Sequence, residues 1–246
     1  MATLDRGDGL TKVGIDLSFS SLEPPPYDAA MRFELYGQYL TTSGLGFYGA
    51  LPIARSFGGE GEPQPPEAYN RTALYDIDAG LLYVASGESL SWVFRGGVLL
   101  PTASDARDPT LTRYVAAGPR LTDLAMASPD WHLRLSISPL VHVNKLFLRA
   151  DVGFDLDIGD EDYHYLRLNI GGGVDLGVVA LSLELVNTAT FGDLARNEED
   201  FFHALAFTIR FMGEQLQPFI SVGAPIDDYR RDVIHFFIAG GLTFEI

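Results

Sequence analysis

Arginines and acidic or amide residues recur in this chain two positions apart, as Arg32-x-Glu34, Arg149-x-Asp151 and Arg167-x-Asn169. Arg95, Arg134 and Arg210, and the acids Asp175 and Glu184, stand in runs of the same character. A guanidinium and a carboxylate on one face of a sheet make forked, charge-assisted hydrogen bonds. Arrayed over several strands, they present fixed charge to whatever passes between them. That chemistry selects a solute by its charge rather than making or breaking bonds. The candidate set is Arg32, Glu34, Arg95, Arg134, Arg149, Asp151, Arg167, Asp175, Glu184 and Arg210.

Bond-making chemistry finds weaker support. A lipid hydrolase needs a nucleophile, a histidine and an orienting polar residue. Of His132, His142, His164, His203 and His235, only His203 combines a lipid-facing position with a place near a strand end. No Gly-x-Ser-x-Gly elbow accompanies it. The acidic groups Asp157, Asp160, Glu161, Asp162 and Glu198, Glu199, Asp200 could meet divalent cations, but neither has the spacing of a calcium loop. Gly171-Gly172-Gly173 lies between two strand patterns, where a dinucleotide fingerprint needs strand followed by helix. No cofactor motif is present. Asn70-Arg71-Thr72 matches a glycosylation sequon in pattern only.

The charged residues must be positioned by strands. Residues 31–40 alternate Met31, Phe33, Leu35 and Tyr39 with Arg32, Glu34, Tyr36 and Gln38, and a period of two belongs to a strand. Twelve such stretches are expected: 12–19, 31–40, 45–54, 73–85, 90–100, 131–141, 145–156, 163–176, 178–186, 201–212, 215–224 and 233–246. Most are long enough for a tilted strand to cross an apolar slab. The gaps between them alternate. Those at 41–44, 86–89, 142–144, 177 and 213–214 are tight, and those at 20–30, 55–72, 101–130, 157–162, 187–200 and 225–232 are long. That rotation fits an outer-membrane barrel, with short periplasmic turns and long external loops.

The expected outer face carries Val13, Ile15 and Leu17, then Tyr75, Ile77, Leu81 and Tyr83, and ends on Ile234, Phe236, Ile238, Leu242 and Phe244. Aromatic residues gather near the strand ends, as they do at headgroup level. The opposite face carries the candidate set together with Asp16, Gln38, Asp76, Asp78, Asn169, Gln217 and Glu245, interspersed with small residues. Leu82 and Val84 are apolar positions on that charged side. Within 101–130, Asp108-Pro109 reads as a helix cap and first turn, with Leu111, Tyr114 and Val115 at helical spacing and a second short helical piece over 121–127. This loop is expected to cover the mouth or to fold inward as a constriction.

Composition agrees. A formal net charge of -16 excludes a nucleic-acid partner. Cysteine is absent, so disulfides and thiolate metal sites are excluded. Only Lys12 and Lys145 among the 17 basic residues are lysines, a bias suited to confined ion pairs. Residues 1–10 carry Asp5, Arg6 and Asp8 and no apolar stretch, so the sequence is expected to be that of a mature chain.

Over its full length the chain resembles bacterial outer-membrane β-barrel proteins. Gly49-Ala50-Leu51-Pro52 and Gly96-Gly97-Val98-Leu99-Leu100-Pro101-Thr102 are similar to strand ends in the channel-like family of the MetA pathway of phenol degradation. The final strand resembles the signal read by the barrel-assembly machinery, departing from it by ending Phe244-Glu245-Ile246. The expected protein is all-β, a single membrane-spanning antiparallel up-and-down barrel of twelve strands over residues 1–246 with both termini periplasmic. Its expected role is a porin-like channel for small solutes or ions, embedded in outer-membrane lipid and lipopolysaccharide. The alternatives are a closed barrel acting as adhesin, scaffold or receptor, and a lipid hydrolase using His203.

Overall fold

The computed structural model of the protein describes residues 10–23, 27–58, 70, 72–102, 130–159, 164–192, 201–232 and 234–246. Among these residues thirteen strands form one antiparallel sheet: β1 (Lys12–Leu22), β2 (Tyr27–Leu40), β3 (Leu45–Gly58), β4 (Thr72–Leu74), β5 (Ile77–Ser86), β6 (Leu90–Leu100), β7 (His132–Val143), β8 (Leu146–Asp157), β9 (His164–Asp175), β10 (Val179–Phe191), β11 (Phe201–Phe211), β12 (Leu216–Pro225) and β13 (Ile234–Glu245). Neighbours in sequence pair as hairpins, and β1 pairs with β13, so the sheet closes on itself. Since β4 and β5 both pair with β3 as two pieces of one stave, the result is a twelve-stave barrel. A four-residue helix, α1 (Asp228–Arg231), lies between β12 and β13. Among the described residues no helix is long and apolar enough to cross a membrane.

Alternation decides which side of the wall each residue takes. On β1, Val13, Ile15, Leu17 and Phe19 are exposed on the outside, while Lys12, Asp16, Ser18 and Ser20 are buried within. The same inversion of the usual globular rule runs around the sheet, with Leu81, Leu148, Leu183, Ile220 and Leu242 outward and exposed. Tyr39, Phe47, Tyr83, Trp92 and Phe94 form a partly stacked aromatic band at the short-turn end. Bands of this kind match the headgroup region of a bilayer.

The tight connections sit at the end where β1 begins and β13 finishes, and where Ile246 N–H donates to the Thr11 carbonyl at 3.0 Å. Three of them use left-handed backbone, the β9–β10 turn at Gly177 (φ 87°) among them. Gly44 (φ 82°) closes the β2–β3 turn, and Asn144 (φ 56°) begins the β7–β8 turn, as only glycine and asparagine do cheaply. At the other end, the helical expectations around Asp108-Pro109, Leu111, Tyr114, Val115 and 121–127 lie outside the described residues, as do Asp160, Glu161, Asp162, Glu198, Glu199 and Asp200.

Two expected outward residues turn inward. Tyr75 and Ile234 are both almost fully buried, and the cause in each case is a β-bulge. Ile53 pairs with Leu74, yet Ala50 pairs with Asp78, so the register slips by one residue between β4 and β5. Tyr75 and Asp76 therefore share the inner side opposite Pro52. The Pro52 carbonyl accepts from Tyr75 N–H at 2.9 Å, but its nitrogen has no hydrogen to return, so the ladder stops there. On β13, Phe236 pairs with Ser21 and Ile234 with Leu22, leaving His235 as the extra residue. Thr102 clips the first bulge: its Oγ1 donates to the Tyr75 carbonyl at 2.9 Å and accepts from Ile77 N–H at 3.1 Å. A Thr102→Val variant is expected to lose about 1 kcal/mol of stability, read as a lower urea midpoint.

Inside, large rings lie across glycines of neighbouring strands. Tyr36 covers Gly14 and reaches Thr243 Oγ1 at 2.7 Å, Phe219 covers Gly241, Phe237 covers Gly223, and Phe147 covers Gly173. A Cβ at any of these glycines would collide with the ring. An apolar patch of Leu22, Ala30, Ala54, Tyr75, Ala204 and Phe237 lines the long-loop end. Tyr48, Leu82, Val84 and Val93 form a second patch toward the short turns, so Leu82 and Val84 do face the lumen.

A charged lumen as the candidate functional site

Register builds the centre of the site. Arg134 on β7 pairs directly with Asp155 on β8, and Arg167 on β9 pairs with Gly153 two residues before it. Both guanidiniums converge on the Asp155 carboxylate. Arg134 Nε and Nη2 donate to Oδ1 and Oδ2 at 3.0 and 3.2 Å. Arg167 Nε and Nη2 donate to Oδ2 and Oδ1 at 3.0 and 3.1 Å. Arg134 Nη1 then crosses β6 to donate to Asp78 Oδ2 on β5 at 2.9 Å. Arg167 Nη1 stands 3.6 Å from Asp151 Oδ2, whose Oδ1 accepts from Ser138 Oγ at 2.5 Å.

The outcome is a ladder of alternating sign, Asp78–Arg134–Asp155–Arg167–Asp151, wrapped along five staves. Glycine makes room for it, since a Cβ at Gly153 would come within 2.7 Å of the Arg167 Cζ. Asp155 has no measurable exposure, and the Arg134 and Arg167 side chains are only 6% and 12% exposed. Charges this dry are costly unless their hydrogen-bonding capacity is met by well-aligned partners, and the paired forks meet that condition.

All ten candidate residues sit on the inner side. Arg32 and Glu34, two apart on β2, form an ion pair. Arg95 donates to Gln38 Oε1 at 3.3 Å and lies over the Tyr48 ring, 5.1 Å from its centroid. Arg210 stacks over Phe219 and points Nη1 at Gln217 Oε1, 3.4 Å away, while Gln217 donates to Glu245 Oε1 at 2.6 Å. Arg149 and Glu184 are buried on β8 and β10. Asp175 stands apart at the short-turn rim, where its Oδ1 accepts from Gly177 N–H at 2.7 Å. The structure thus brings Arg134, Arg167 and Asp151 into one network and distributes the others along the wall.

The residue at the heart of that network, Asp155, is not among the ten. Its signal was its phase, since it continues the inward series Arg149, Asp151, Gly153. His203 lies on the outer side, as the alternation places it, and it has an orienting partner. Asn187 Nδ2 donates to the Leu168 carbonyl, which leaves its Oδ1 to accept from His203 Nδ1 at 2.6 Å. The described outward positions of β9, β10, β11 and β12 hold no serine, so the pair has no serine nucleophile beside it there. Among the described residues no group of three or more histidines and carboxylates is arranged to hold a metal ion.

No family model matches the sequence, and no curated protein matches it. Solved structures do share its fold. An outer membrane channel from Pseudomonas putida F1 superimposes with a TM-score of 0.66 at 11% identity, covering 99% of this chain and 100% of that one. The NanC porin gives 0.59 at 9% identity over 94% and 100%. The KdgM porin gives 0.56 at 10% identity over 95% and 99%. At these identities the likeness establishes the fold, a closed antiparallel β-barrel shared with these outer-membrane proteins along essentially the whole chain.

Proposed function

We propose that the protein is an outer-membrane channel that passes small solutes or ions by diffusion through a narrow, charged lumen. One observation carries the reading: a closed barrel with an apolar outer face and a charged inner one. A water-soluble sandwich gains nothing from exposed Leu17, Leu81 and Ile220, whereas lipid solvates them. The structural neighbours, a channel and two porins, support the same reading. We place the short turns and both termini in the periplasm and the long loops outside, following the asymmetry of such barrels. The outer surface then meets phospholipid and lipopolysaccharide, and the last strand serves the barrel-assembly machinery.

Arg32, Glu34, Arg95, Arg134, Arg149, Asp151, Arg167, Asp175, Glu184 and Arg210 line the path in this reading, joined by Asp155 and Asp78. Among the described inward residues, Lys12 and six arginines face ten carboxylates, counting Asp16, Asp76, Asp157 and Glu245. The acidic excess makes the lumen mildly cation-preferring, because unit charges act strongly in a confined, poorly screened space. We assign no catalysis: His203 and Asn187 supply a base and its orienting group, but among the described residues no serine stands beside them on the outer face.

Single-channel recording in a planar bilayer under a salt gradient tests this. Discrete current steps and a reversal potential of the sign for cations are expected. A tight bilayer holding demonstrably folded protein would overturn the channel reading in favour of a closed barrel acting through its loops.

A further inference from the structure

Three glycines stand in a row on β9, Gly171-Gly172-Gly173, and the lumen accounts for two of them. Gly171 lies between the inward-facing Arg149 and Glu184. Gly173 lies under the Phe147 ring, which a Cβ would strike. Gly172 faces the other way, to the lipid side, between Leu148 and Leu183. The nearest atoms to a Cβ there belong to the Phe147 carbonyl and to outward-facing Leu148, so no lumen side chain uses the room it leaves. A glycine inside a strand weakens it and often marks a place where something else comes close.

Around Gly172 the outer wall is hollowed into a groove of about 670 Å³, a size at which clefts hold ligands. Strands β7 and β8 form one bank with Val141, Val143, Leu146 and Leu148. Strands β10 and β11 form the other with Leu181, Leu183 and Phe207. The hydrogen-bond ladder beneath is unbroken, with Leu148 paired to Gly172 and Gly172 to Leu183. The groove is therefore closed toward the lumen. Its outward side chains are all hydrocarbon.

One end of the groove carries a charge. Val143 and Leu146 flank the β7–β8 turn, and Lys145 stands exposed between them. Among the described residues of the short-turn end, the other bases, Lys12 and Arg210, are buried in the lumen. Asp175 donates its backbone N–H to the Lys145 carbonyl at 2.7 Å but turns its own Oδ1 to Gly177 N–H. The Lys145 ammonium has no ion-pair partner among the described residues. On a four-carbon stem, such a group reaches from an apolar wall to headgroup level.

We propose that this groove is a binding site for one phospholipid, with an acyl chain laid over Gly172 and the phosphate held by Lys145. The proposal rests on the outer-membrane reading, which turns the short-turn end to the periplasm and hence to the phospholipid leaflet. A chain against smooth wall touches protein along one side. In the groove it is touched by both banks and the floor, and those contacts add up along its length. This lipid therefore exchanges more slowly than its neighbours in the bilayer. The ammonium selects the head, because a diacylglycerol with the same chains offers it no anion.

The test titrates the purified barrel, in mild detergent, with dioleoylphosphatidylglycerol and reads the adducts by native mass spectrometry. One adduct is expected to form well ahead of any other. Dioleoylglycerol should bind about fivefold more weakly, the share of one lysine near an anionic headgroup, and Lys145→Gln should erase that difference. Gly172→Leu fills the groove from its floor and Leu181→Trp from its bank, and both should lose the first adduct. Leu181 is an outward position with no demand on the backbone, so its variant decides the matter even if Gly172→Leu fails to fold. Leu81→Trp, on the outer face of β5, should bind as wild type does. A first adduct of equal affinity in wild type, Leu181→Trp and Lys145→Gln, or none at all, would reduce the groove to ordinary lipid boundary. Failure of the wild type to insert into lipid vesicles would instead remove the outer-membrane reading.

Discussion

An Asp155→Ala protein is expected to lose about 3 to 5 kcal/mol of stability and to shift its reversal potential toward anions. The loss follows from what is left behind. Of the ladder, Arg134 keeps Asp78 and Arg167 keeps Asp151, the latter at 3.6 Å, while four hydrogen bonds to one carboxylate vanish. Two guanidiniums that were almost fully shielded then share one carboxylate fewer in a lumen, where their excess charge attracts anions. The urea midpoint of the folded, heat-modifiable band on gels reads the first effect, and a salt-gradient recording reads the second. Asp151→Ala is the control of smaller effect, since that carboxylate makes one longer ion contact and one bond from Ser138. Equal midpoints for the two variants would mean that the double fork does not hold the wall together.

A Leu17→Arg protein should fold poorly in lipid vesicles, losing about 2 to 4 kcal/mol, the cost of a cation near the midplane of a bilayer. Leu17 lies midway along β1, is half exposed, and pairs with Gly240 and Phe33 on the outer face. In a sheet facing water, the same change would stay within about 0.5 kcal/mol. Depth supplies an internal control. Tyr39→Arg, in the aromatic band at the short-turn end, should cost only about 0 to 1 kcal/mol. The folded fraction in vesicles, measured for both variants against wild type, gives the gradient. A flat response would contradict the membrane-facing assignment of this surface.

The barrel was legible because each stave keeps one phase of alternation across the apolar slab. Legibility fades where that slab ends. Strand β2 begins at Tyr27, β3 continues to Gly58 and β10 to Phe191, all beyond the alternating stretches 31–40, 45–54 and 178–186. Past the lipid, neither face is held to one polarity, so residues such as Ser56 and Thr188 give no signal. Tyr75 and Ile234 were placed on the wrong side because a bulge resets the phase by one, and at Tyr75 its mark, Pro52, lies on the neighbouring strand. The inward position of the ten candidates follows from phase alone. Their partners do not: Arg134 meeting Asp78 across β6 depends on register, which no single strand encodes. Asn187 was out of sight for a simpler reason, since it reads as the first residue of a loop.

The pairing of β1 with β13 also governs the order of events in making the molecule. Its rungs join Lys12 to Glu245 and Leu22 to Ile234, so nearly the whole chain separates the partners at each one. Every other stave meets a neighbour made shortly before it, and eleven of the twelve seams can zip as local hairpins. The twelfth waits for the last residues, and until then the growing sheet carries two bare edges, each a template for a wrong partner. Closure is thus the slow, high-contact-order step. The hydrogen bond from Ile246 to Thr11 belongs to the moment at which the unfinished sheet stops being able to join another chain.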